Sequence, residues 1–246
     1  MPQGGHYIHL AWEARGGGLA KDVSADGVAA EGVAAFHRRL GIADKLLGRV
    51  VSEDPGTTDA RRLRLNVSRG LQQGADRTRD HYLGLAAHDP HDYVAQSRLL
   101  QPPLPKWGGS WDEAFAFARQ CRLVAEPGSL NPVVLAQAHL ERRLNVGGEK
   151  DPAHLRRPEV RDELAGAARE SVLHPGFRGG YRSVEAHGHF AAVFGSAGEH
   201  ALAAPHFRAL NGYAGEFPWA LLRSLTSLGR GTAYKRLRRR AARAGG

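Results

Sequence analysis

The sequence predicts an all-α protein, and three observations support this prediction. First, apolar residues recur at the spacing of one helix face, as in Trp111, Ala114, Phe115, Ala118 and Cys121. Second, β-branched residues are sparse, and no long run alternates between apolar and polar residues as a half-buried strand would. Third, several segments open with residues that favour the first turn of a helix. We therefore expect antiparallel helix hairpins and almost no strand.

Helix start signals divide the chain into consecutive helices. Ser110 and Glu113 form a Ser-x-x-Glu capping box before an apolar-periodic segment. Asp89-Pro90 and Asn131-Pro132 each place a good N-cap before a proline at the first helical position. The predicted helices span residues 7–15, 27–53, 58–73, 76–88, 90–101, 111–124, 132–145, 158–172, 184–197, 199–211, 217–227 and 232–243.

An offset of 35 residues relates two of these helices. Asp54-Pro55, Ala60 and Leu65 recur as Asp89-Pro90, Ala95 and Leu100. A tetratricopeptide repeat has a period of about 34 residues, with one helix pair in each unit. The sequence therefore predicts antiparallel helix hairpins stacked as a tetratricopeptide-like solenoid, although any helical hairpin produces some of these matches.

The segment 186–210 fits that repeat more closely. Its small, aromatic and turn positions are occupied in order by Ala191, Phe194, Gly198, Ala203 and Phe207. Small residues allow the two helices to approach, and aromatic rings fill the space between hairpins. We therefore expect Phe190, Phe194 and Phe207 to be buried together.

Five segments of the sequence carry a resemblance to a known family: residues 10–18, 105–111, 115–119, 171–175 and 204–207, within a stretch of about 7–220. They resemble an uncharacterised bacterial family, the domain-of-unknown-function 4034 group. The resemblance implies a helical, tetratricopeptide-like protein and implies no reaction.

Positive charge is concentrated at the end of the chain. The net charge is +9, and eight basic residues follow Glu216, the last acidic residue. We therefore divide the chain into a helical domain, 1–229, and a basic tail, 230–246, that is helical or disordered. The tail run comprises Lys235, Arg236, Arg238, Arg239 and Arg240. It could neutralise phosphates or lie on an anionic surface, or it is a solvated terminus that extends from the fold and can be removed without loss of stability.

Motifs for catalysis and cofactor binding are absent from the sequence. It contains no GxSxG, GxxxxGK[ST] or HExxH pattern, and its single cysteine excludes an intramolecular disulfide. Cys121 lies on an apolar helix face and is expected to be a core thiol. Thirteen histidines raise the question of a metal site. However, His187 and His189 would point about 200° apart on a helix, so they could not easily bind the same metal ion. From the missing motifs and this orientation we expect no catalytic residue, cofactor or metal.

Two groups of residues are candidates for partner binding. Arg62, Asn66 and Arg69 share a polar helix face, where their donors could meet peptide carbonyls or carboxylates. Lys106 and Trp107 lie in a Trp- and Gly-rich segment that is either the rim of a ligand site or a rigid loop whose rings fill a gap. A solvated face is the simpler explanation for the first group.

These observations predict a non-enzymatic helical-repeat scaffold that binds a protein or peptide in a concave groove. The alternative is a protein that associates with nucleic acid or an anionic surface through its basic tail. An enzyme whose histidines converge only in three dimensions is a third hypothesis. The sequence shows no secretory signal and no apolar run of the length that crosses a membrane, so we expect a cytoplasmic protein.

Overall fold

The computed structural model describes residues 2–15, 28–107, 109–144, 151, 153–222 and 230–244. All regular structure in these ranges is helical, which confirms the all-α prediction. The helices are α1 (Pro2–Arg15), α2 (Val28–Glu53), α3 (Thr58–Gly70), α4 (Ala75–Ala86), α5 (Tyr93–Leu99), α6 (Trp111–Leu123), α7 (Val133–Leu144), α8 (Pro158–Glu170), α9 (Ser183–Ala197), α10 (His200–Leu210), α11 (Trp219–Leu222) and α12 (Arg230–Ala244). Short 3-10 helices span Pro105–Trp107 and His154–Arg156.

The start of α6 follows the predicted capping box. The Ser110 hydroxyl accepts the backbone N–H of Glu113 at 3.2 Å, and the Glu113 carboxylate accepts the backbone N–H of Ser110 at 2.9 Å. The predicted start after Asp89 is wrong by three residues. Asp89 instead closes a turn by accepting the backbone N–H of His91, and Asp92 caps α5 by accepting the backbone N–H of Ala95.

The chain divides into two compact units, Met1–Pro102 and Pro103–Gly246. In the first unit, α1 and α2 pack against each other and against α3. Their shared core is lined by Ile8, Ala11, Phe36, Leu40, Ala43, Leu47, Ala60 and Val67. A second cluster joins α3, α4 and α5 through Leu65, Leu85 and Ala95.

The second unit is built around α9. Every residue from 186 to 195 is buried, because α7, α8, α10 and α12 all pack against this helix. Phe190, Phe194 and Phe207 are each buried, as predicted, but their ring contacts divide them into two groups rather than one. Phe190 and Phe194 stack on His206, whereas Phe207 contacts Trp219 and Tyr234.

The C-terminal segment does not extend into solvent, so that expectation was wrong. Residues 230–244 form α12, which packs against α9, α10 and α11. Its contact with α9 is close, because a methyl group on Gly195 would lie 3.1 Å from the Leu237 side chain. The terminal helix is therefore part of the second unit.

The 35-residue offset has a structural counterpart, since α3 begins at Thr58 and α5 at Tyr93. However, α5 has only 7 residues, and it is shorter than the helix predicted there. Consecutive helices pack against each other at α1–α2, α2–α3, α3–α4, α6–α7 and α9–α10, so the first three contacts do not divide α1–α4 into separate hairpins. A tetratricopeptide-like stack of helix hairpins stays a prediction. None of the described helices is long and apolar enough to cross a membrane.

Candidate functional site

The helix α12 has two faces of different chemistry. One face carries Ala233, Tyr234, Leu237 and Ala241, all of which are buried. Its tyrosine ring lies 5.6 Å from the ring of Phe207 and 5.0 Å from that of Trp219. This apolar face fixes the helix on the second unit and orients the opposite face outward.

The outward face of α12 is basic. Five of its cations are exposed, namely Lys235, Arg238, Arg239, Arg240 and Arg243, and Arg236 is half-buried. Among the residues that the structure describes, none of these six side chains pairs with a carboxylate. The guanidinium of Arg239 donates only to the backbone oxygen of Lys235. The face therefore keeps its full positive charge for an external partner.

The spacing of these cations matches the helix repeat. Lys235, Arg239 and Arg243 are four residues apart, which places them on one side of the helix about 6 Å apart along its axis. Arg243 lies in the last turn of α12, at the negative end of the helix dipole, which favours a cation there. The result is a linear row of positive charges on a folded support.

A second candidate is a cleft of about 730 Å³ beside α6 and α8. Two ion pairs join its walls: Arg119 donates to Glu163 at 2.7 Å, and Arg122 donates to Glu170 at 2.6 and 2.7 Å. Gly166 makes room for the second pair, because a methyl group there would lie 2.6 Å from the Arg122 guanidinium. Both cations on these walls are therefore already paired with carboxylates.

Behind Glu163, two buried histidines form a chain of hydrogen bonds. His139 Nε2 lies 3.0 Å from the Glu163 carboxylate, and His139 Nδ1 lies 2.9 Å from His154 Nε2. The carboxylate can only accept while it is ionised, so it fixes the proton of a neutral His139 on Nε2. His154 must then donate from Nε2, which leaves its buried Nδ1 without a hydrogen.

The pKa values of His139, His154 and Glu163 oppose proton exchange along these hydrogen bonds near neutral pH. Burial lowers the pKa of His139 and lowers that of His154 to about 4. The hydrogen bond from His139, helped by Arg119, lowers the pKa of Glu163 to about 2. The cleft therefore presents a fixed carboxylate backed by two neutral imidazoles. No sequence spacing signals this hydrogen-bonded group, because its three members come from α7, α8 and the 3-10 helix His154–Arg156.

Cys121 and the histidines of α9 and α10 at 187, 189 and 206 are buried in the fold. Cys121 is a core thiol, as predicted, and burial raises its pKa to about 12. His187 pairs with His206, with 3.1 Å between their Nδ1 atoms, while His189 bonds the backbone oxygen of Glu185. Within the described residues, no three His, Cys, Asp or Glu side chains are arranged to hold a metal ion.

The first group of predicted partner-binding residues lies on α3. The Arg62 guanidinium donates to the buried carboxylate of Asp92 at 2.6 Å and also bonds Asp59. Arg69 is exposed, and its guanidinium lies 5.6 Å from the centre of the Trp12 ring. Asn66 is half-buried. Arg62 therefore holds α3 to the start of α5.

The second group lies in the 3-10 helix that precedes α6. Lys106 donates to Glu141 of α7 at 2.9 Å. Trp107 ends this 3-10 helix, and its side chain lies outside the described residues. The neighbouring Trp111 is half-buried, with the Arg142 guanidinium 5.0 Å from the centre of its ring. The structure thus links this segment to α7 through a lysine–glutamate pair.

Comparison of the chain with protein-family models, curated proteins and solved structures finds no match. The basic face of α12 and the charged cleft are therefore interpreted from their own chemistry.

Proposed function

We propose that this protein binds the phosphate backbone of nucleic acid through the basic face of α12. The observation that carries the proposal is the row of cations that have no acidic partner among the described residues, on a helix whose other face is buried. Phosphate contacts by Lys and Arg provide most of the sequence-independent affinity of nucleic-acid-binding proteins. A rigid support also reduces the entropy lost when these side chains bind.

The distribution of apolar residues on α12 favours nucleic acid over a membrane surface. An amphipathic helix that binds a bilayer inserts its apolar face among the lipids. In α12 that face is already packed, because Tyr234 and Leu237 are buried against the second unit. Only electrostatic attraction would remain to hold α12 on a lipid surface. Electrostatic attraction alone is sufficient for binding to the phosphate backbone of nucleic acid.

The scaffold hypothesis receives less support from the contacts of its candidate residues. Arg62 and Lys106 form ion pairs within the fold, so a peptide ligand would have to compete with Asp92 and Glu141. A concave groove along a tetratricopeptide-like stack stays a prediction for this chain. Its test is the capture of a peptide that is lost when Asn66 and Arg69 are replaced.

The proposal is tested by measuring binding of the full chain to duplex DNA by fluorescence anisotropy. The variant Lys235→Ala/Arg239→Ala/Arg243→Ala removes the row of cations. A matched control is Arg38→Ala/Lys45→Ala/Arg49→Ala, which removes the same residue types from exposed positions of α2. We expect the first variant to lose most of the affinity and the control to keep it.

Two outcomes would overturn the proposal. Equal losses in the two variants would mean that net charge, not α12, determines binding. Binding to vesicles that contain phosphatidylserine, without binding to DNA, would assign the basic face to a membrane surface.

A further inference from the structure

An exposed tyrosine follows a turn that lies against a side chain of the basic face of α12. The helix α10 is followed by Asn211 and Gly212, which both adopt left-handed backbone conformations, with φ of 43° and 88°. Glycine suits the second position because a side chain there would be strained. A methyl group on Gly212 would lie 3.6 Å from Nη1 of Arg238. Tyr213, the next residue, therefore follows a turn that lies against the basic helix.

The position and exposure of Tyr213 suit contact with a ligand. Its backbone N–H donates to the oxygen of Leu210 at 2.8 Å, which ties the residue to the end of α10. Its surface is 70% exposed, although large aromatic residues are usually well covered in a fold. Most other aromatic side chains of α10, α11 and α12 and their connecting segments are buried, namely Phe207, Trp219 and Tyr234.

We infer that the preferred partner is single-stranded nucleic acid, with a base stacked on Tyr213 while Arg238 and Arg239 hold the neighbouring phosphates. This inference rests on the proposed function, because it needs the phosphate contacts of α12. Proteins that bind single strands combine a positively charged track with aromatic rings on which bases stack. In a duplex the bases are paired and stacked on one another, so Tyr213 would gain no such contact.

The experiment compares three probes with the full chain: a thymidine single strand, an abasic strand of the same length, and the duplex. The abasic strand keeps the phosphates and lacks the bases. We expect the wild-type protein to bind the thymidine strand more tightly than the abasic one. Tyr213→Ala should lower affinity for the thymidine strand by roughly five- to 150-fold, the range for loss of one stacked base, and leave the abasic strand unaffected.

Two further variants make the test specific. Tyr213→Phe keeps the aromatic ring and should retain affinity for the thymidine strand. Tyr181→Ala is a matched control, because Tyr181 is 94% exposed and its ring lies against Arg182. The Tyr181→Ala variant should bind the thymidine strand with the affinity of the wild-type protein.

The outcomes separate this inference from the proposed function. Equal binding of all three probes, unchanged by Tyr213→Ala, would overturn the inference and leave phosphate binding by α12 intact. An equal loss in Tyr181→Ala would also overturn it, since stacking would then not be located beside α12. Failure to bind any of the probes would contradict the proposed function itself.

Discussion

Buried histidines make the stability of this protein depend on pH. Burial lowers the pKa of His206 to about 3 and that of His154 to about 4, and it also lowers the pKa of His139 and His187. In the unfolded chain these rings take up protons near their ordinary pKa of 6.5. The unfolded state therefore binds more protons below that pH, and acid favours unfolding.

We predict that the free energy of unfolding falls as the pH is lowered from about 6.5 toward 4. A further loss should follow between about 4.5 and 2, where Glu163 is protonated in the unfolded chain but not in the fold. Urea unfolding at a series of pH values measures both effects. His206→Phe should make the first decline shallower, because it removes a buried titrating ring that stacks on Phe190 and Phe194. An identical pH profile for this variant would contradict the assignment.

Phe207 tests the packing of the second unit at a single position. Its ring contacts those of Trp219 and Tyr234 and is almost fully buried. We expect Phe207→Ala to lower the free energy of unfolding by about 3–5 kcal/mol, as large-to-small changes of buried aromatic residues do. Chemical denaturation measures this value. A loss below about 1 kcal/mol would mean that the helices α10, α11 and α12 do not meet at this ring.

Among the helices, α12 shows the largest difference between the sequence-based prediction and the structure, because it is packed rather than extended. Leu237 is buried and lies against Gly195 of α9. We predict that Leu237→Ala lowers the free energy of unfolding by about 2–5 kcal/mol. Arg240→Ala, on the exposed face of the same helix, should change it by about 0.5 kcal/mol or less. Equal small effects of both substitutions, measured by urea unfolding, would show that the helix is detached from the fold in solution.

The packing of α12 has a signal in the sequence. Ala233, Tyr234, Leu237 and Ala241 lie at helical spacing within the basic run. The charge of the run led us to expect repulsion and extension into solvent. Burial of the tyrosine and leucine outweighs that repulsion, because like charges on the exposed face are screened by water and salt.

Helix positions were predictable from the sequence, whereas contacts between elements were not. The capping box at Ser110 and the apolar stripe of α6 are local signals, and the structure has both. The chain of His139, His154 and Glu163 joins α7, a 3-10 helix and α8. No rule of sequence spacing brings three such residues together. The ion pair of Arg62 with Asp92 was missed for the same reason, since 30 residues separate its partners.

At the scale of the whole molecule, charge is separated along the chain. Eight of the nine net positive charges follow Glu216, and the described residues of that segment include α11 and α12, of which α12 packs on α9 and α10. The preceding part of the chain is nearly neutral and contains many internal ion pairs. A polyanion should therefore be attracted to the basic face of α12 more than to the nearly neutral remainder of the chain.

The most direct test of this account is the dependence of DNA affinity on salt concentration. Each phosphate neutralised in a duplex contributes about −0.9 to the slope of log affinity against log salt. We predict a steep slope for the wild-type protein, reduced by about two to three in Lys235→Ala/Arg239→Ala/Arg243→Ala. The control Arg38→Ala/Lys45→Ala/Arg49→Ala should keep the wild-type slope. A shallow slope for the wild type, or the same slope in all three proteins, would contradict phosphate binding by α12.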